Sequence, residues 1–334
     1  HGRSVSPGQG IDDSVLASAL ECGSNIRASA GFSTVSLPGI LSRVANKAML
    51  ASYNSGAGVA REFCAETDTT DFKQFDRYRM TEAGDFEEIG ATGEIKNSTL
   101  TEETLSNQVK TYGRMFGITR QMLINDDLGA MLAIPSLLGK MAARTLEKSV
   151  ITLLANASTG AASTNFFFST STAKKKANYA AGAATALDID ALGTAYKLFL
   201  DQVDSSGNPI MVEPGLLLVT NKNAVNARKL FNDAAYRFTN ADTKETTENQ
   251  WQGMFRPLVS PYLSQLATTE DEYYLLPIPT DTAVINIAYL RGQRAPVISQ
   301  SDVDFQQLGV QMRGVFDFGV ALWDQRLAVK MAGQ

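Results

Sequence analysis

Histidine is nearly missing from this chain of 334 residues: the single one is His1. A Ser/His/Asp triad or an imidazole-based metal site would have to use the first residue, so neither has anything to build on. Cysteine is scarce too. Cys22 and Cys64 are the whole complement, too few for a disulfide framework and wrongly spaced for a thiolate zinc site, and a reducing compartment is the expectation. No run approaches the roughly 18 apolar residues that cross a bilayer, and the N-terminus lacks the charged-then-apolar layout of a secretory signal. The sequence is read as that of a soluble protein assembled in the cytoplasm. Positive charge is in deficit, with 30 Lys and Arg against 35 Asp and Glu for a net of -5. That balance excludes a protein that grips nucleic acid through a broad phosphate-neutralising surface.

Catalytic signatures are absent as well. Neither the G-x-S-x-G elbow nor the G-x-x-x-x-G-K-[ST] phosphate loop occurs. "GAGVAR" from Gly56 imitates a dinucleotide turn but follows a helix, and is read as a helix stop. "DIDALG" from Asp188 opens like a calcium loop, yet Leu192 and Phe199 stand where oxygen ligands are needed, so Asp188 is read as a helix cap. The acidic pairs Glu87/Glu88, Glu102/Glu103 and Asp126/Asp127 are explained by solvated turns and a helix N-terminus. No catalytic residue, cofactor site or metal ligand is assigned, and the chain is read as a non-enzyme.

What is present is an ordinary globular composition, 44% hydrophobic and 19% charged, too apolar for a disordered chain. Residues 1–36 are rich in Ser, Gly and Ala, with one short helical candidate at 12–22. Apolar spacing from Leu37 predicts a helix that ends at Gly56. A polar excursion comes next, in which two strand-like arms flank a charged, glycine-bearing tip; it has too few apolar residues to bury itself, so it is either mobile alone or laid against a partner, and the second option implies assembly. The longest helix is predicted over 135–156, with Pro135 in its first turn, as a beam of roughly 33 Å. Residues 160–182 are read as a loop or irregular hairpin anchored by Phe166, Phe167 and Phe168 and carrying the solvated run Lys174, Lys175 and Lys176.

An α+β unit is then expected: a helix over 190–203, a buried strand from Leu216, a helix over 221–231 capped by Asn221, and strands in "EYYLLPI" and "TAVINIAYL". From Leu308 to Leu322 the even positions are apolar or glycine, a strand period long enough that Gly314 or Gly319 is expected to mark a bend or bulge.

The order of these parts resembles the major capsid proteins of tailed phages, of the Hong Kong 97 type, and in detail the Mu-like prophage head subunits. The residues that carry the resemblance are "DFKQFDRYRM" (71–80), "KTYGRMFGITRQMLINDDLGAMLAIP" (110–135), "EPGLLLVTNKNAVNARKL" (213–230) and "RGVFDFGVALWDQRLAVKMAG" near the end. It covers nearly the whole chain and is weakest before residue 36 and between 160 and 186.

The resemblance implies an N-terminal arm and helix (1–60), an extended loop (61–118), a peripheral domain with a spine helix (119–159), a connecting loop (160–186), an axial domain (187–292) and a return to the peripheral domain (293–334). It implies hexamers and pentamers of an icosahedral shell around double-stranded DNA, found in the virion. Portal, scaffold, prohead protease and decoration proteins are implied as partners, with weak non-specific contact with the packaged DNA. Protease trimming would account for a chain starting at His1. Some members cross-link a loop Lys to a neighbour's Asn; Lys73 and Lys96 are possible donors, but no Asn follows Asn286, so a shell without cross-links is expected. Phe72, Lys73, Arg77, Arg79, Glu87, Glu88, Asp126 and Asp127 are the expected subunit contacts, with the arginines facing the acidic groups. The alternatives are an encapsulin-like compartment shell and an enzyme using the paired carboxylates.

Overall fold

In the computed structural model the described residues are 36–56, 58–81, 101–119, 128–172, 175–204, 207–233, 235–237, 246–279, 283–302 and 309–334. The chain divides into two units, His1–Val44 and Ala45–Gln334. Of the first, only the opening turns of helix α1 (Ser36–Ser55) fall within the described residues; the candidate helix at 12–22 lies outside them. All later elements belong to the second unit.

After α1 come α2 (Ala60–Phe63), β1 (Cys64–Thr69), β2 (Phe75–Thr81), β3 (Thr101–Asn107), β4 (Lys110–Thr119) and the spine helix α3 (Leu128–Ala155). The 160–182 connection carries three two-residue strands: β5 (Thr159–Gly160), β6 (Phe167–Phe168) and β7 (Tyr179–Ala180). Beyond it lie α4 (Ile189–Leu200), β8 (Pro214–Val219), α5 (Ala224–Asn232), β9 (Ala235–Arg237), β10 (Thr246–Glu248), β11 (Arg256–Val259) and α6 (Pro261–Leu266). The last strands are β12 (Tyr273–Pro277), β13 (Ile285–Leu290), β14 (Val297–Asp302), β15 (Gly309–Leu322) and β16 (Val329–Met331).

β15 organises the first sheet. Its residues 309–318 pair antiparallel with β4 on one edge, while β14 and then β13 occupy the other edge in succession, with β1 parallel beyond β13. The even-numbered face points inward: Met312, Phe316 and Phe318 are buried, as the period of two requires. The expected bulge is not there, since the register runs unbroken along all three partners. The glycines serve close packing instead. A Cβ on Gly319 would overlap the Gln108 carbonyl, and one on Gly314 would press on Leu138 of the spine helix.

The second sheet, in the order β11-β8-β12-β16-β7, is covered on both faces. Leu216, Leu218, Tyr274 and Leu276 point into the main core with Val150, Ile151 and Leu154 of α3 and with Phe316 and Phe318 of the first sheet. Leu217, Val219, Tyr273 and Leu275 point the other way, onto Leu192, Ala195 and Phe199 of α4 and Leu230 of α5. Burial on both faces is why these strands read as continuous apolar runs with no alternation. β13 joins the first sheet through β1 and β15, and β16 inserts between β12 and β7 in the second.

The spine helix has 28 residues, about 42 Å at 1.5 Å per residue. It starts seven residues before Pro135, which lies inside it and not in its first turn. α4 is capped as expected, with Asp188 Oδ1 accepting from the Ile189 amide at 2.7 Å. α5 is not capped by Asn221. Asn223 holds the cap position, and its side chain is diverted to donate to the Asp271 carbonyl at 2.8 Å.

Candidate subunit interface

β2 and β3 form a two-stranded antiparallel hairpin separate from both main sheets, in register from Phe75 opposite Asn107 to Thr81 opposite Thr101. Strand alternation gives it two faces. Asp76, Tyr78, Thr104 and Ser106 are on the outer one, where Tyr78 is 62% exposed. Arg77, Arg79, Leu105 and Glu103 are on the other.

That second face is clasped to the segment just after β15. The Arg79 guanidinium bridges Glu103 Oε2 at 2.5 Å and Asp324 Oδ2 at 2.6 Å. Arg326 closes the ring, with Nε 2.9 Å from Asp324 Oδ1 and Nη2 2.7 Å from Glu103 Oε2. Two cations and two carboxylates thus share one cluster in planar, fork-type geometry that suits guanidinium and not ammonium groups. Desolvation pushes both the Glu103 and the Asp324 carboxyls up, an effect opposed by Arg79. Arg77 lies beside the clasp with its guanidinium 5.6 Å from the centre of the Trp323 ring, within cation–π range.

These positions redistribute the expected contact residues. Phe72 and Lys73 are exposed on the approach to the hairpin, Phe72 at 48%. Arg77 is exposed on its indole, whereas Arg79 is engaged within its own chain. Glu87, Glu88, Asp126 and Asp127 lie outside the described residues, as does Lys96. Asp324 and Arg326, to which no sequence motif points, complete the cluster. Their signal is faint because the two residues are 245 and 223 positions from their hairpin partners.

Asn286, the last asparagine, is fully buried and held by Asn107, Thr67 and the Ala65 carbonyl. In the connecting loop Phe167 and Phe168 are buried, Phe166 packs on the core, and Lys175 is solvated.

A second feature lies beside the spine helix. Between α1, α3 and the β4/β15 edge there is an open cleft of about 460 Å³ with a floor of Met49, Leu138, Met141 and Phe316. Arg114 and Arg144 line it as well.

The model of the phage capsid protein family matches residues 102–331, more than two thirds of the chain. The chain belongs to that family. Among curated proteins no match was found. The solved structures that this capsid protein resembles include the capsid of cyanophage P-SCSP1u, at a TM-score of 0.56 and 12% identity over 82% of this chain and 87% of that one. The mature capsid of bacteriophage PhiM1 matches at a TM-score of 0.52 and 13% identity, over 82% and 86%. Microbacterium phage Oxtober96 matches at 0.51 and 10%, over 82% and 90%. At these identities the likeness concerns the fold, and it places this capsid protein in the α+β architecture of the Hong Kong 97 type. Among the described residues no helix is long and apolar enough to cross a membrane.

Proposed function

We propose that this capsid protein builds the icosahedral head of a tailed, Mu-like phage, as hexamers and pentamers that enclose double-stranded DNA, without covalent cross-links and without catalysis of its own. The observation that carries this reading is the hairpin. A two-stranded ribbon with an exposed outer face is marginal in water by itself, and here it is fixed to its own subunit through the charged clasp. A neighbouring subunit supplies the missing cover, in a heterologous contact that closes into rings. The lack of cross-links rests on Asn286 being committed to a buried network within its own subunit.

In this reading residues 119–159 and 293–334 form the peripheral domain and residues 187–292 the axial domain. Head assembly takes place in the host cytoplasm, with portal, scaffold, protease or decoration proteins as further partners. The test is electron microscopy and nuclease digestion of particles purified from infected or expressing cells. Uniform hollow shells, filled with nuclease-protected DNA when the packaging machinery is present, are expected. A subunit that stays monomeric overturns the shell, and shells that carry a protein cargo and never DNA overturn the phage head in favour of a compartment.

A further inference from the structure

The cleft beside the spine helix joins an apolar floor to two cations that no described residue neutralises. Arg114 and Arg144 are both exposed, both line it, and neither has an ion pair or hydrogen bond with any described residue. No carboxylate is among the lining residues. Glu147, the one acid of the spine helix, is turned into the core, where it accepts from the Ala60 amide. Arg79 and Arg326, by contrast, are already neutralised in the clasp.

Close packing sets the walls before any ligand arrives. Gly139 brings α1 so near the spine helix that a Cβ there would overlap the Met49 carbonyl, and Gly314 lies against Leu138. The Tyr112 ring is stacked on Phe318 with centroids 4.4 Å apart. The Thr145 hydroxyl is turned back to donate to the Met141 carbonyl at 2.8 Å. The floor is therefore thioether, alkyl and ring surface, and its two methionines adapt to the shape of what they touch. A volume of about 460 Å³ falls within the roughly 300–1,000 Å³ of small-molecule sites.

Length decides the class of ligand. The lining positions of the spine helix run from Leu138 to Thr145, about 10 Å at 1.5 Å per residue. A partner strand would place only about three residues there at 3.3 Å each, well short of what a stable protein contact buries. An alkyl chain of medium length covers such a floor, and a carboxylate is the headgroup that guanidinium forks bind in bidentate fashion. We infer that this cleft is a binding site on the free subunit for an amphipathic monocarboxylate, with the alkyl body on Met49, Leu138, Met141 and Phe316 and the headgroup at Arg114 and Arg144. Such a site belongs to the folded subunit and does not depend on the shell reading.

Octanoate is the probe, with octanol as its uncharged counterpart, each titrated calorimetrically into the full chain kept as free subunit. One saturable octanoate site per subunit is expected, with octanol at least tenfold weaker. The variant carrying R114Q and R144Q, both at exposed positions, is expected to bind octanoate at least tenfold more weakly while keeping the wild-type circular dichroism. Ala142→Phe, whose ring would occupy the cleft, is expected to abolish the site. The inference is overturned if wild type shows no saturable octanoate binding. Octanol binding as tightly as octanoate, or wild-type affinity in the R114Q/R144Q variant, overturns it too, since the guanidinium groups would then select nothing.

Amide exchange and melting give a second readout that needs no cleft-filling variant. A ligand bound only to the native state stabilises it, so saturating octanoate is expected to raise the melting temperature of the wild type and to leave that of the R114Q/R144Q variant unchanged. Slower exchange is expected around Met49 in α1 and along β4. Protection confined to other elements would place the ligand elsewhere and sink the proposal. If the arginine exchanges lower the assembled fraction of particles while octanoate binds as in wild type, the cleft serves a protein contact and not a small ligand, and the inference falls.

Discussion

Glu147 shows how one residue in the spine helix ties two remote parts of the chain together. Its Oε2 accepts from the Ala60 amide at 2.8 Å and its Oε1 faces the Ser260 hydroxyl at 3.5 Å. A Cβ on Gly58 would overlap that carboxylate, so only glycine fits there. Burial is the largest influence on this group and pushes its carboxyl up, against the opposing pull of the Ala60 and Val59 amides and Ser260. The native state therefore binds a proton more tightly than the unfolded chain does, and between the two titration ranges stability falls as pH rises. Glu147→Gln keeps both contacts and removes the charge. The expected outcome is a melting temperature above wild type at pH 7, with the advantage shrinking toward zero near pH 4, where the native carboxyl is already protonated. A variant that is less stable than wild type at pH 7 would show that the charge itself holds the site. Gly139 is the other residue with a single remote purpose. A Cβ there would overlap the Met49 carbonyl oxygen and stand 3.1 Å from the Tyr53 amide nitrogen. Gly139→Ala must push α1 from the spine helix, at about 1–3 kcal/mol, read as a fall in the denaturation midpoint.

At the scale of elements, the clasp sets the hairpin's mobility. Arg326→Ala leaves Asp324, only 6% exposed, and Glu103 to share Arg79 alone. Losing charge-assisted bonds of this kind costs about 1.5–3 kcal/mol. The loss should be local, and amide exchange within β2 and β3 should rise more than tenfold while exchange in β8 and β12 is unchanged. Uniformly faster exchange would mean that the clasp supports the whole unit.

The elements themselves were largely legible. Helical spacing marked α1 and the spine helix, alternation marked β15, and unbroken apolar runs marked β8 and β12, because each signal is the imprint of a burial pattern on consecutive residues. The misplaced features depend on neighbours that periodicity does not encode. Pro135 is tolerated inside a helix whose remaining bonds and packing hold it, Asn223 is drawn to Asp271 and away from its cap, and the glycines of β15 answer to Gln108 and Leu138. The charged clasp was half legible for the same reason. Arg77 and Arg79 were visible as charges on one strand face, but their partners Trp323 and Asp324 come from the other end of the sequence.

For the whole second unit, one core joins the two sheets: Leu218, Tyr274 and Leu276 of the second pack in the same cluster as Ile285, Tyr289 and Phe318 of the first. The final strand secures that union. β16 carries Lys330, which is 4% exposed and lies 3.2 Å from Glu272, itself 1% exposed, with the rings of Tyr274 and Phe167 over the ammonium. Removing one partner of a buried pair strands the other charge, at about 3–5 kcal/mol, whereas replacing both by apolar groups is often neutral. Lys330→Ala should therefore destabilise strongly, and Lys330→Met with Glu272→Gln, which removes both charges and keeps an acceptor for the Tyr274 hydroxyl that donates to Glu272 at 2.8 Å, should recover most of the loss. Two tryptophans report on how far the damage spreads. Trp251 packs against the α4 side of the second sheet and Trp323 comes directly after β15 of the first. In single-tryptophan versions of the dissociated subunit, Lys330→Ala should lower both melting transitions by the same amount, as a two-state unit requires. A Trp323 transition that stays in place while that of Trp251 falls would divide the unit into two folding domains, and the shared core would then be a contact between them and not the source of their stability.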